Sequence, residues 1–329
     1  MNYLAVGVNF SREPPIFIDP SFRIDYSLPE FCLTEFESFL SIMAQLKNFQ
    51  QGTPVRSIAV INQKGGVGKT TTAVNLSAAL ANAGKRVCLI DMDPQAHASL
   101  HLGVSPQDSA KTTYSILTDD VPVADVRVEA APNLAVLPSH IDLAAAEMEL
   151  ATEVGREIIL RDRLEEDEGE FDYFVLDCPP SLGVLTLNAL TAATEIFLPL
   201  QPHFLALHGL SKLLKTIDLV GKRLNPGLKL TGIVFCMYDS GTKLAAEVSS
   251  DVKEFFSDQR ISNSVWKDAV NFETMIRRNI RLAEAPSFGQ SIFDYAPQSN
   301  GASDYISLAA EVLQQELAAR QPVSLAKSA

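Results

Sequence analysis

The chain is short of most residues that announce specialised chemistry. Its 4 cysteines, Cys32, Cys88, Cys178 and Cys236, stand far apart with no C-x-x-C pair. That excludes a disulfide framework and a cysteine-based zinc site, and predicts a reduced, cytoplasmic setting. Basic residues are outnumbered, 27 Lys and Arg against 40 Asp and Glu, for a formal charge of −13. A protein that coats nucleic acid through bulk charge is excluded, so any DNA contact has to come from a local patch. There is no run of about 18 consecutive apolar residues, so no membrane span is expected. The opening MNYLAVGVNFSREPP lacks a basic segment followed by an apolar core, so no secretory leader is expected either. His97 and His101 have i, i+4 spacing but no third ligand and no H-E-x-x-H, and are expected on a helix surface.

What is present is apolar content: 47% hydrophobic residues over 329, enough for one large or two modest domains with a core. Residues 1–54 are punctuated by Pro14, Pro15, Pro20 and Pro29 and set up no strand-helix alternation. They read as an N-terminal extension. Within it Leu33, Phe36, Phe39, Leu40, Met43 and Leu46 recur at helical spacing, and Thr34 with Glu37 has the spacing of a capping box. This predicts an amphipathic helix that packs on its own chain, with a partner surface as the alternative.

From Arg56 onward short apolar runs alternate with helical patterns: SIAVIN, a helix from about Lys69 to Ala83, RVCLID, then LAVLP, DYFVLD, EIFLPL and LTGIVFCMY. Strands that are apolar throughout fit a mainly parallel sheet covered on both faces, so a doubly wound α/β domain is predicted over 55–320. EEDEGE (165–170) reads as a solvated loop, and residues 321–329 as a frayed tail.

The strongest signal is IAVINQKGGVGKTTTAVNLSAAL, an apolar strand running through a glycine-rich loop into a helix. Gly65, Gly66 and Gly68 permit close backbone approach, so the N–H groups of the loop, with Val67 and the helix start at Lys69, Thr70 and Thr71, can converge on phosphate oxygens. Lys69 is placed to reach the β and γ phosphates of ATP, and the Thr70 hydroxyl to ligate Mg²⁺. A second lysine in the same loop, Lys64, exceeds what one Mg²⁺-bound triphosphate requires and can reach a nucleotide held by another subunit.

The KGGVGKTT string resembles the deviant Walker A motif of the ParA/MinD family of P-loop ATPases. The resemblance implies that Lys64 crosses the interface of an ATP-sandwich homodimer. RVCLIDMDPQAHASLHLG resembles the family's switch I, which assigns Asp93 to the attacking water and places Asp91 before it. FDYFVLDCPPSLG resembles the Walker B and switch II segment, with Asp177 as water-mediated support of Mg²⁺. Cys178 beside it reads as a small buried residue.

NLAVLPSHIDLAAAEMEL, GIVFCMYDSGTKLA and NIRLAEAPSFGQSIFDYAPQSNGASDYISLAAEV extend the resemblance to the ParA branch over about 55–318. It implies that Met237, Asp239 and Pro286 lie near the adenine, and that DNA is held non-specifically by Arg277, Arg278 and Arg281. Lys267 lies nearby, and a helix over about Leu205 to Leu224 carries Lys212, Lys215, Lys222 and Arg223. Asn300 stands where the family usually has an arginine before Gly301. Glu273 and Glu284 are available to neutralise the cluster. A ParB-like centromere-binding activator is the implied partner, with nucleoid association in the ATP state. The final EVLQQELAARQPVSLAKSA has no cationic amphipathic face, which disfavours a MinD-like membrane anchor. Alternatives are a positioning ATPase for a protein cargo and a metabolic amide-forming enzyme.

Overall fold

A computed structural model describes residue 42 and residues 54–167, 170–203, 210–258, 264–267 and 269–320. The rest of the extension, the tail and the first part of the lysine-bearing helix lie outside the described residues. Ile42 is helical, 6% exposed and part of an apolar cluster shared with the α/β body.

Eight strands form one sheet: β1 (Arg56–Val60), β2 (Val87–Asp91), β3 (Val128–Ala131), β4 (Leu134–Leu137), β5 (Tyr173–Asp177), β6 (Glu195–Leu200), β7 (Lys229–Tyr238) and β8 (Val270–Arg277). Their order is β3-β4-β2-β5-β1-β6-β7-β8, with every neighbouring pair parallel except β3 with β4. The helices are, in chain order, α1 (Lys69–Asn82), α2 (His97–His101), α3 (Thr113–Thr118), α4 (Val123–Val126), α5 (Leu143–Glu149) and α6 (Ile159–Glu166). They continue as α7 (Val184–Ala192), α8 (Leu210–Arg223), α9 (Lys243–Asp258), α10 (Ile280–Glu284), α11 (Ile292–Tyr295) and α12 (Asn300–Arg320).

The apolar runs are continuous because each strand feeds two cores. Ile58 and Val60 pack with α1, α2, α10, α11 and α12 on one face, whereas Ala59 and Ile61 pack with helices α3 to α9 on the other. Val87 and Leu89 divide from Cys88 and Ile90 in the same way. The period of two along a strand sends alternate side chains to opposite layers, so the middle of each interior strand is apolar on both faces and polar residues fall near the ends. The expected doubly wound architecture is present.

Two strands were not anticipated from the sequence, and both are edges. In β3, VEAA is at most half-buried, and in β8, VNFETMIR mixes buried Phe272 and Ile276 with exposed Val270, Glu273 and Arg277. An edge strand buries too few side chains to carry a continuous apolar signature. The free edge of β8 is closed from α12: the Glu273 and Thr274 N–H groups donate to Glu311 at 2.9 and 2.7 Å, and the Arg277 N–H to Asp304 at 2.9 Å. Carboxylates thus satisfy donors that a foreign strand would otherwise pair with. Inside the sheet, Phe197 and Phe272 meet edge-to-face at 5.1 Å over Gly232, where a Cβ would come within 2.3 Å of the Phe272 ring.

At the N-terminal end of the sheet, Arg56 forms a bidentate pair with Glu195 at 2.6 and 2.8 Å and donates to the Val312 carbonyl at 2.8 Å. The Tyr173 hydroxyl donates to Glu316 at 2.5 Å, and Lys85 pairs with the same carboxylate at 3.0 Å. These contacts bolt α12 to the strands at the end away from the phosphate loop.

Candidate active site

The site forms where β1, β2 and β5 end. Register places Asp177 beside both Val60 and Asp91, so two strand-end carboxylates lie side by side below the loop that leaves β1. This is the carboxyl edge of a parallel sheet, where open α/β folds bind ligands.

The loop is held at its start by Asn62, whose Nδ2 donates to the Pro199 carbonyl at 2.8 Å and whose Oδ1 accepts from the Lys64 N–H at 2.9 Å. Gly66 and Gly68 have φ of 72° and 97°, in the left-handed region that a side chain disfavours. Gly68 also lies against β7: a Cβ there would meet the Cys236 side chain at 3.3 Å. Gly65 has open space around it, and Val67 is buried beneath the loop. The helix opens at Lys69 with Gly68 as its N-cap, so Thr70, Thr71 and the loop N–H groups share one helix N-terminus. Thr70 and Thr71 are half-buried, while Thr72 turns inward to the Tyr305 hydroxyl at 3.2 Å.

The two lysines differ. Lys69 is 7% exposed, its ammonium donating to the Lys64 carbonyl at 3.3 Å. Lys64 is exposed, and its ammonium lies against Nε2 of His203 beyond β6.

The carboxylates differ as well. Asp91 has no exposed surface and accepts from the Ser99 N–H at 2.9 Å, the Ser99 hydroxyl at 2.7 Å and the Asp93 N–H at 3.2 Å. Burial pushes its pKa up to about 6, with the Ser99 bonds opposing the rise. Asp177 is 1% exposed, and among the described residues neither of its oxygens accepts a hydrogen bond of ordinary geometry. Burial, reinforced by Asp91 beside it, raises its pKa well above the ordinary carboxylate range, against the pull of the Thr70 hydroxyl and the Lys69 ammonium. An orphaned buried carboxylate next to a threonine hydroxyl fits a hard divalent cation. Asp93 is half-buried and, among the described residues, accepts only from the Gln95 N–H of its own turn, at 3.0 Å. Cys178 is buried, and its thiol is pushed up by that burial, in keeping with an inert side chain.

The residues expected near the base are spread over two segments. Met237 adopts φ of 50° directly after Cys236, and Asp239 uses Oδ1 to accept the Gly241 N–H at 3.0 Å in the turn before α9. Pro286 lies in a single turn, 285–288, that abuts switch I through the backbone: a Cβ on Gly289 would sit 2.9 Å from the Gly103 Cα. Of the three arginines, Arg277 pairs with Asp304 at 2.9 Å and Arg281 with Glu284 at 2.8 Å, while Arg278 is exposed and forms no ion pair among the described residues.

The histidine expectation is corrected in part. His97 is exposed, but His101 is 2% exposed, Nε2 is without a partner, and burial lowers its pKa to about 4. The five-residue helix α2 packs on α1, with its first residue exposed and its last one covered. Asn62, Ser99, Cys236 and His203 also escaped the sequence reading. Each acts through a partner 8 to 168 positions away. Only Ser99, eight residues after Asp91 in the same motif, carried a local signal.

Among the described residues no helix is long and apolar enough to cross a membrane. A family model described as an AAA domain matches residues 55–230. The chain is 47% identical over 256 residues to the sporulation initiation inhibitor protein Soj of Bacillus subtilis, covering 78% of this chain and 97% of that protein. It is 44% identical over 266 residues to the chromosome partitioning protein ParA of Caulobacter vibrioides, covering 80% and 96%. Among solved structures, cobyrinic acid a,c-diamide synthase from Mycobacterium smegmatis, with bound ATP analog and magnesium, is 36% identical with a TM-score of 0.69, covering 81% of this chain and 98% of that one. A phosphate loop with a buried and an exposed lysine, on a parallel sheet ending in two buried aspartates, therefore stands in a chain that belongs to the Soj/ParA family of chromosome-partitioning P-loop ATPases.

Proposed function

We propose that the protein is a nucleotide-gated switch in chromosome or plasmid partitioning. ATP brings two copies together face to face, the paired form holds DNA without sequence preference, and slow hydrolysis, stimulated by a ParB-like partner, resets it. The observation that carries this reading is the difference between the two loop lysines. Lys69 is buried, in keeping with service to its own nucleotide, whereas Lys64 is exposed at the edge of the same loop, its ammonium against His203.

The roles are those that the family resemblance implies. The loop N–H groups from Gly65 to Thr71 and the Lys69 ammonium hold the phosphates, with Met237, Asp239 and Pro286 on the base side. The Thr70 hydroxyl, with Asp177 through water, would hold Mg²⁺, which would supply positive charge to the phosphates. Asp93 orients the attacking water, and Lys64 stabilises charge on the nucleotide of the other subunit. Positioning and electrostatic stabilisation are most of what phosphoryl transfer asks of a protein.

Light scattering with ATP tests the dimer: Lys64→Ala should remain monomeric while still binding nucleotide, and a dimer that survives overturns the cross-subunit role. DNA contact is tested by ATP-dependent retention on non-specific DNA across a salt series. Arg278→Ala should weaken retention and reduce the salt slope by about one. A second reading, a positioning ATPase with a protein cargo, is favoured by one observation: Asp304 and Glu284 neutralise two of the three candidate arginines. A flat salt response decides for it.

A further inference from the structure

We infer that Ser99, acting with Asp91, is the positioning device that sets Asp93 for hydrolysis, an inference that rests on reading Asp93 as the water-orienting carboxylate. Switch I leaves the sheet at Asp91 and returns to regular structure in α2. Between them Asp93 to Ala96 forms a turn closed by the Ala96 N–H on the Asp93 carbonyl at 2.9 Å, with Ala96 at φ of 54°. Asp93 makes no side-chain bond beyond its own turn among the described residues, so nothing at its carboxylate fixes where it points.

The turn is fixed from below instead. The Asp91 carboxylate accepts from the Asp93 N–H at one end and from both the N–H and the hydroxyl of Ser99 at the other. One buried anion thus staples both ends of the loop to the tip of β2. Ser99 extends the staple sideways, because its oxygen also accepts the Ser139 N–H at 3.1 Å, just past the end of β4. A third strut ties this floor together: the Thr113 hydroxyl reaches the carbonyls of Asp91 at 3.1 Å and Pro138 at 3.2 Å. Ser99 has no exposed surface, and no hydrogen bond from it to the phosphate loop is formed among the described residues. Its hydroxyl joins the switch helix to both the Asp91 carboxylate of β2 and the segment after β4.

The geometry makes a specific demand. Loss of the Ser99 hydroxyl removes one of three donors from a buried carboxylate and leaves the Ser139 N–H without its acceptor, so the floor under Asp93 loosens while the loop that holds nucleotide is untouched. Catalytic groups held only loosely lose rate before they lose affinity.

The test is single-turnover and steady-state ATP hydrolysis, with nucleotide affinity measured in parallel, for Ser99→Ala, Ser99→Thr, Asp93→Ala and the double variant Asp93→Ala/Ser99→Ala. Ser99→Val, isosteric with threonine, is a second hydroxyl-free chain should the alanine chain fold poorly. Loss of the hydroxyl should lower kcat about tenfold with KM and nucleotide affinity changed less than about twofold. Ser99→Thr should restore kcat, and the double variant should be no slower than Asp93→Ala alone, because the two act as a unit. Parental kcat in the folded hydroxyl-free chains, a matching loss of nucleotide affinity, or a threonine variant as slow as alanine overturns the staple. Parental turnover in Asp93→Ala instead overturns the assignment of Asp93, which keeps the two failures apart.

Discussion

The two ends of the sheet are built on opposite terms. At the N-terminal end every buried charge has a partner: Arg56 meets Glu195 in a bidentate pair, the Thr231 hydroxyl adds a third bond to that carboxylate at 2.8 Å, and Glu316 is shared by Tyr173 and Lys85. At the C-terminal end Asp177 is more deeply buried, and among the described residues neither of its oxygens has a geometrically formed hydrogen bond, the Thr70 hydroxyl and Lys69 ammonium lying near it. Strand ends are chemically alike, so the difference is one of use. One end fixes α12 and closes the fold, and the other leaves a carboxylate unsatisfied where, on the proposed reading, a cation binds, at a cost in stability.

The sharpest way to separate the ends is Lys69→Ala. It should reduce nucleotide affinity by about 100-fold or more in a fluorescent-analogue titration while the unfolding midpoint stays near the parent, since a charge-assisted contact to phosphate is lost and no core is opened. Unchanged affinity would remove the phosphate-loop assignment. At the other end Arg56→Met should do the reverse, lowering stability by about 3 to 5 kcal/mol in urea unfolding because Glu195 is left buried without its cation, with nucleotide affinity unaltered.

Acid should act between these extremes. The His101 ring is held neutral in the fold, with its pKa lowered to about 4, whereas the unfolded chain binds the proton near the ordinary value of 6.5. Stability from this group is complete above the unfolded value and is lost as pH falls toward the folded one. Between pH 7 and pH 5 the loss is about 2 kcal/mol. His101→Leu should flatten that part of the profile, read as the difference between the two chains across a pH series.

The smallest expected effect has the opposite sign. Asp177→Asn replaces an orphaned carboxylate by a neutral amide, and should raise nucleotide-free stability by about 1 kcal/mol while abolishing Mg²⁺-dependent turnover. A destabilised variant would mean that Asp177 contributes to the fold as the Arg56 network does.

Legibility divides along the same line. The phosphate loop and the aspartates of β2 and β5 were readable because each motif is contiguous, and the chemistry requires those residue types at fixed spacing. The six interior strands were readable because burial on both faces leaves an unbroken apolar run. The edges β3 and β8 were not, since half of their side chains face water or the ends of helices. Nor was the placement of His101, because a single turn of helix cannot say which side its neighbour covers. The arginines were legible as charges, and their neutralisation by Asp304 and Glu284 was only partly so: Glu284 is three residues from Arg281, but Asp304 is twenty-seven from Arg277.

By itself the sequence determined the class of ligand, the layered α/β fold and the presence of a second loop lysine, because these depend on local backbone freedom, strand periodicity and short-range spacing. Tertiary structure alone decided that Lys69 is buried and Lys64 exposed, that Asp91 is satisfied and Asp177 is not, and that Ser99 ties switch I to two strands. Those outcomes depend on which distant groups arrive within hydrogen-bonding distance, and that is set by the packing of the sheet and its two helical layers.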